Sequence, residues 1–450
     1  MGFILAQISR YVTAFLFAVY TFYCYSAFAR KNIDRKEKVF RTQRTLIVMI
    51  LTICSIVIMV ENKDFVKYGV LYALELAFVV FFTHIYQIFY KGLSKLVLNN
   101  MMMCMVIGFI MLGRLQYSYA IRQLLMAALA MGVCLLVPLF IERFTIWEKL
   151  GWQYALVGIL FLMLVFVIGQ EHYGSRNWIV IGGFSLQPSE FVKIIYVFFI
   201  AARLTKITTP SKAAELTSKE KFKHIIIISI VAAVHVVILV VEKDLGAALI
   251  YFIAYLFILY AATMQVFYLG LGIGGGSLAA IVAHRLFSHV RIRVLAWRDP
   301  WGHIDNEGYQ ICRSLFAIGT GGLFGMGLGQ GMPETIPVVE SDFIFSAIAE
   351  EMGVIFAVCL ILVYLSSYIM FVNIAMKMKK RFYKLTAFGL SIVFIFQTFL
   401  CIGGVTKFIP STGVTLPLIS YGGSSIITTI VIFSIIQGMY VLNGKDESRM

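Results

Sequence analysis

The chain has 450 residues, 60% of them hydrophobic and only 14% charged. A water-soluble domain of that length would have to expose large apolar patches, so the composition excludes one and points to an integral membrane protein. The formal charge of +15 is spread over short loops rather than gathered in one basic stripe, which argues against a nucleic-acid partner.

Apolar stretches long enough to cross the hydrocarbon core as helices recur from end to end. Thirteen are expected, near 11–29, 45–61, 69–90, 99–113, 121–141, 153–170, 188–203, 224–241, 245–263, 265–287, 344–370, 384–408 and 420–441. Lys and Arg in short loops mark the cytoplasmic side. The basic loops at 30–44, 91–95, 142–149, 203–223 and 377–384 all fall on one side of this scheme. It predicts an all-α polytopic bundle with the N-terminus outside and the C-terminal "NGKDESRM" in the cytoplasm. Segments 171–187, 288–343 and 406–420 are then external. The first span lacks a small-residue cleavage site and is followed by a basic loop, so it reads as a retained anchor. The seven cysteines form neither a disulfide framework nor a CxxC pair.

Polar residues gather at the external ends of the spans. "GSRNWIVIGGFSLQPSEFVK" (174–193) has Pro188 suited to a first helical turn and Lys193 one turn on from Glu190, close enough to pair, with Arg176 and Trp178 as interface anchors. "EKDLG" (242–246) sets Lys243 and Asp244 at another span entrance. The glycines of "GIGGGS" (272–277) lack phosphate-loop context and read as tight packing.

The segment 288–343 is much the longest connection, and long loops are functional or disordered more often than not. In "HVRIRVLAWR", Arg291, Arg293 and Arg298 alternate with apolar residues, which suits a phosphate-bearing lipid surface or a basic interfacial helix. "GTGGLFGMGLGQG" (319–331) follows, with Gly321, Gly325 and Gly329 four apart, a spacing that lets backbones approach closely in lipid. "VVESDFIFSAIAEEMG" (338–353) then places Asp342 ahead of an apolar run and Glu350 and Glu351 inside it. Asp342 suits either a helix cap or a chemical role. The two glutamates are costly in a bilayer unless they pair inside the bundle. "PSTGVTLPLISYGGSS" (410–425) is a broken loop before the last span.

In order and spacing, "GSRNWIVIGGFSLQPSEFVKI", "KDLG", "GYQICRSLFAIGTGGLFGMGLGQG", "SDFIFSAIAEEMG" and "GVTLPLISYGGSS" resemble the SEDS family (shape, elongation, division and sporulation; the FtsW, RodA and SpoVE type) from about residue 100 to 441. The resemblance implies a core of about ten spans, residues 96–443, with three extra N-terminal spans in residues 1–95. It implies a peptidoglycan glycosyltransferase that polymerises lipid II at the outer face of the bacterial cytoplasmic membrane, for division, elongation or sporulation, with a class B penicillin-binding protein as partner. Asp342 matches the family's catalytic Asp. A carboxylate there can take the proton of the acceptor 4-hydroxyl as it attacks the lipid-linked sugar. The leaving pyrophosphate calls for cations, either a divalent metal (Mg or Mn) or Arg176, Lys243, Arg291 and Arg293. No organic cofactor is expected. Trp178, Gln187, Glu190, Lys193, Asp244, Ser420 and Tyr421 complete the expected substrate-binding set. The chain departs from the family pattern at "EKDLG", where Lys243 replaces Pro, and at "PVVESDFIF", where Glu340 and Ser341 are new neighbours of Asp342. Two further readings are a transporter of lipid-linked precursors and a non-enzymatic scaffold for a transpeptidase.

Overall fold

The structure, a computed structural model, describes residues 2–448 apart from 31, 145, 173, 174, 182, 183, 211–213 and 215, and leaves undescribed the side chains of 170–172, 175, 176, 181, 184 and 445–448. Helices dominate. Twelve among the described residues are long and apolar enough to cross a membrane. The remaining expected span is the 21-residue helix Pro188–Thr208, in which Glu190, Lys193, Arg203 and Lys206 leave no 18-residue stretch with fewer than three charges.

The chain forms two compact units. The first comprises Met1–Leu135, Leu295–Met370 and Thr398–Gly422. Of the three N-terminal helices, α1 (Gly2–Ala29), α2 (Ile33–Asn62) and α3 (Phe65–Phe89), the last two pack on α4 (Lys95–Leu115) and α1 packs on α2, while α4 is buried along its whole apolar length. Polar groups there must be satisfied by protein, since lipid offers no partners. Asn99 donates to Gln43 Oε1 at 3.0 Å, and Asn100 accepts from Tyr20 at 2.9 Å and donates to Ser367 Oγ at 3.1 Å. A side chain at Gly108 would come within 2.8 Å of the Ile419 carbonyl, so glycine lets the loop at 410–420 lie on α4. Helix α5 (Tyr117–Cys134) also belongs to this unit.

The second unit comprises Leu136–Val294, Phe371–Gln397 and Gly423–Met450. It contains α6 (Val137–Arg143), α7 (Gly151–Ile168), α8 (Pro188–Thr208), α9 (Ser218–Val241), α10 (Leu245–Thr263) and α11 (Val266–Leu286). Helix α9 starts at a capping box in which Thr217 accepts from Glu220 N and the Glu220 carboxylate accepts from Thr217 N. A small antiparallel sheet, β1 (Gln170–His172), β2 (Ser175–Ile181) and β3 (Phe184–Leu186) in that spatial order, precedes α8. The sequence reading contained no strand there, because segments this short show too little alternation to register. In "GIGGGS", Gly272 and Gly276 lie against the Leu256 and Phe252 side chains, as tight packing predicts, while Gly274 and Gly275 face open space.

The segment 288–343 holds two helices, α12 (Ser288–Arg298) and α13 (Tyr309–Gly321). Helix α14 (Ile344–Lys377) follows, kinked at Gly353 with φ 87° and ψ 168°, a conformation reserved for glycine. Helices α15 (Arg381–Val405) and α16 (Gly423–Ser448) complete the chain.

Candidate active site

Asp342 lies in the turn 337–343, half-buried, with Phe343 between it and the first residue of α14. The Ser341 hydroxyl donates to Asp342 Oδ1 at 2.8 Å. The turn is fixed by the segment before α16, across a large separation in sequence. The Ser420 hydroxyl donates to the Ser341 carbonyl at 2.6 Å and accepts from Leu416 N at 2.8 Å. Tyr421 N donates to the Glu340 carbonyl at 2.8 Å. Gln123 of α5 closes this frame, donating to the Ser420 carbonyl at 2.9 Å and accepting from Gly422 N at 3.3 Å. The Tyr421 ring stacks on Tyr119 with centroids 4.5 Å apart. Two expected substrate residues, Ser420 and Tyr421, thus hold the backbone beside Asp342, and Gln123 and Tyr119, absent from the sequence reading, hold them in turn.

The glycine-rich segment ahead of this turn packs on α14. Gly321 and Gly325 sit where any side chain would collide with the Ala349 and Glu351 carbonyls respectively. Backbone bonds tie the segment to the kink: Met326 N to Glu350 O at 2.9 Å, Gly327 N to Glu351 O at 3.0 Å, Val354 N to Gly322 O at 2.9 Å and Ile355 N to Leu323 O at 3.1 Å. Glu351 pairs, as its cost in lipid requires, whereas Glu350 meets a backbone donor and no cation among the described residues. Glu351, fully buried, takes Arg114 Nε at 2.9 Å, and the same guanidinium reaches Glu334 at 2.5 Å. Glu350 Oε1 accepts from Met332 N at 3.0 Å.

The second unit carries its own polar cluster. Lys193 is 2% exposed and bonds Glu190 at 2.5 Å and Gln397 at 2.8 Å, and Thr428 adds a 2.8 Å bond to Glu190. The expected one-turn pair is therefore present and extended. Asp244 is a hub: Oδ2 accepts from Asn177 at 3.1 Å and from Gln187 and Ser189 at 2.9 Å, while Oδ1 caps α10 through Ala247 N at 3.0 Å. Gln187 N in turn donates to Ser424 Oγ at 2.9 Å. Trp178 is half-buried on β2, paired across the backbone with Gln170. The side chain of Arg176 lies outside the described residues.

Arg291 is exposed on α12 and Arg293 half-buried. His289, on the same helix and not singled out from the sequence, is held below its ordinary value by partial burial and then by the nearby charges of Arg293 and Lys243. Glu242, in the turn between α9 and α10, is 2% exposed, and neither of its carboxylate oxygens has a hydrogen-bond partner among the described residues. Burial, and next the Asp244 charge, push its carboxyl up to about 8.

Among the described residues no three His, Cys, Asp or Glu side chains gather as a metal-ligand set.

The profile of the FtsW/RodA/SpoVE family, described as "Cell cycle protein", matches residues 94–442. The chain is 34% identical over 339 residues to the peptidoglycan glycosyltransferase RodA of Mycobacterium tuberculosis, covering 72% of this chain and 71% of that protein. It is 34% identical over 320 residues to stage V sporulation protein E of Bacillus subtilis, covering 69% and 83% respectively. Among solved structures, the rod shape determining protein RodA of Thermus thermophilus matches with a TM-score of 0.56 at 24% identity, over 78% of this chain and 97% of that one. A chain of a peptidoglycan synthase complex, described as coordinating polymerization and crosslinking, matches with a TM-score of 0.63 at 24% identity, over 80% and 99%. The structural likenesses concern the fold.

Proposed function

The chain belongs to the FtsW/RodA/SpoVE family, and from that premise we propose that this multi-pass membrane protein is a peptidoglycan glycosyltransferase that joins lipid II units into glycan strands at the outer face of the bacterial cytoplasmic membrane. The observation that carries the proposal is Asp342, half-buried, its carboxylate bonded by Ser341 and the backbone just ahead of it held by Ser420 and Tyr421. The Asp342 carboxylate takes the proton from the acceptor's 4-hydroxyl while that oxygen attacks C1 of the donor sugar. The C1–oxygen bond to the pyrophosphate breaks, and undecaprenyl pyrophosphate leaves with the bonding pair. A fixed turn suits this role, because general-base catalysis needs the carboxylate within hydrogen-bond reach of the proton it removes. Arg176, Lys243, Arg291 and Arg293 are the proposed phosphate-binding cations.

The thirteen-span count with external N-terminus, and the division into added spans 1–95 and a catalytic core 96–443, belong to the same reading. So does a class B penicillin-binding protein as partner, which the match to a chain of a polymerising and crosslinking complex supports. The test is reconstitution of the full chain with lipid II and candidate partners. Wild-type protein is expected to make glycan strands, and a folded Asp342→Asn variant to lose about 10²-fold or more, the scale of a general base. An Asp342→Asn protein that still polymerises sinks the mechanism. Transport of lipid II across liposomes holding only this protein, without glycan formation, supports the transporter instead.

A further inference from the structure

Helices α1 to α3 precede the family-matched residues 94–442, yet α1 reaches the glycine-rich segment that leads to Asp342. Gln7 Nε2 donates to the Met326 carbonyl at 2.9 Å and Arg10 Nη1 to the Gly325 carbonyl at 2.7 Å. Gln7 and Arg10 are three apart on one helix face, so one face meets two consecutive carbonyls. The amides of the same stretch point the other way, with Met326 N and Gly327 N bonded to the Glu350 and Glu351 carbonyls of α14. These peptide groups are held between two helices, their carbonyls by α1 and their amides by α14.

Packing follows the same line. A side chain at Gly327 would come within 3.3 Å of the Ala6 carbonyl, and one at Gly329 within 3.0 Å of Glu61 Cγ on α2. The Tyr11 ring lies 5.0 Å from Phe324, with Arg10 4.7 Å from the Tyr11 centroid and donating to the Tyr11 hydroxyl at 2.8 Å. A glycine-rich backbone is entropically costly to order. Here Gly325, Gly327 and Gly329 all have positive φ, a conformation that side-chain and backbone bonds from outside the segment must hold.

We propose that α1 is a positioning clamp on the Asp342 loop, with Gln7 and Arg10 as its positioning residues. They hold the Gly325 and Met326 carbonyls so that the turn bearing Asp342 stays in the geometry the reaction requires. The proposal rests on the glycosyltransferase reading of Asp342. Neither residue touches substrate in this account; the effect passes through the glycine segment and the kink at Gly353.

The experiment uses the full chain in lipid nanodiscs with lipid II, comparing wild type, Gln7→Ala, Gln7→Ala with Arg10→Ala, Arg10→Lys, and Phe15→Ala as a control at a 68% exposed position of the same helix. In the double variant kcat is expected to fall about tenfold or more, within the up to about 10²-fold that a small misplacement of a reacting group can cost, with KM for lipid II within about twofold of wild type. Amide hydrogen exchange should rise at 322–331 while the buried helix 95–115 keeps its protection. Arg10→Lys, which restores one donor, should recover most of the rate, and Phe15→Ala should match wild type. Wild-type kcat in the double variant, a change in KM alone, or Arg10→Lys no better than the double variant overturns the clamp. If the double variant does not fold, Gln7→Ala alone decides: unchanged exchange at 322–331 overturns the proposal. A wild-type chain that makes no glycan, or an active Asp342→Asn, overturns the glycosyltransferase reading instead, and the exchange measurement then judges the clamp by itself.

Discussion

The Ser420 hydroxyl donates a 2.6 Å hydrogen bond to the Ser341 carbonyl, one residue ahead of Asp342. A buried carbonyl deprived of its donor costs about 1–3 kcal/mol. Ser420→Ala should therefore lower thermal stability modestly and reduce polymerisation more than stability alone explains, since the turn that carries the base loses a fixed point. Glycan synthesis at a temperature where the variant is fully folded checks this; an unchanged rate there argues that the turn is held elsewhere.

Arg114 bridges one buried and one exposed carboxylate, and the two should respond differently. Glu351 has a side-chain exposure of 0%, whereas that of Glu334 is 52%. Arg114→Met strands the Glu351 charge and should cost about 3–5 kcal/mol, as loss of one member of a buried pair does. Glu334→Gln should cost no more than about 1 kcal/mol, the range of exposed pairs. Melting temperatures of the two variants in the same membrane mimetic give the ordering, and equal losses contradict it.

Gly325 has φ 79°, and any side chain placed there would run into the Glu351 carbonyl. Gly325→Ala should then be destabilising by more than the roughly 1–2 kcal/mol of a left-handed backbone alone, with activity falling in step. Gly274→Ala, at a helical glycine with nothing within 4 Å, is the matched comparison and should be silent or mildly stabilising. Activity and melting temperature measured together separate the two.

Glu242 gives a pH dependence with a definite sign. Its carboxyl titrates near 4.5 when unfolded and at about 8 when folded. Between those values the folded protein keeps a proton that the unfolded chain has released. The stability this contributes is complete below about 4.5 and is lost as pH rises through about 8. The slope is at most about 1.4 kcal/mol per pH unit. Glu242→Gln should flatten this part of the melting profile and leave the variant more stable than wild type above pH 8. A wild-type profile flat across the window contradicts the burial argument.

Local regularities were legible in the sequence, and relations across the chain were not. The apolar runs gave the helices, the one-turn spacing gave Glu190 with Lys193, and the four-residue glycine spacing gave the close approach of Gly321 and Gly325 to α14. Asp342 stood out because an acid before an apolar run needs a reason. By contrast, the bonds from Ser420 to Ser341 and from Gln123 to Ser420 join residues 79 and 297 positions apart, and no local pattern encodes such a pairing. Arg114 was hidden for the same reason, as an ordinary charge at a span end until Glu351 and Glu334 meet it. Helix α12 was open to the sequence as a basic interfacial helix, but α13 was concealed within a segment read as a connection, because its 13 residues run straight into the glycine-rich stretch.

The backbone bonds joining residues 322, 323, 326 and 327 to 350, 351, 354 and 355 make the stretch between them a lariat tied at its neck. A single peptide cut inside it, for instance in the 337–343 turn, would leave both new ends anchored close to where they began. Fragments meeting at such a cut, co-expressed as two chains, should therefore find one another and rebuild the loop, whereas a cut at the neck itself would release it.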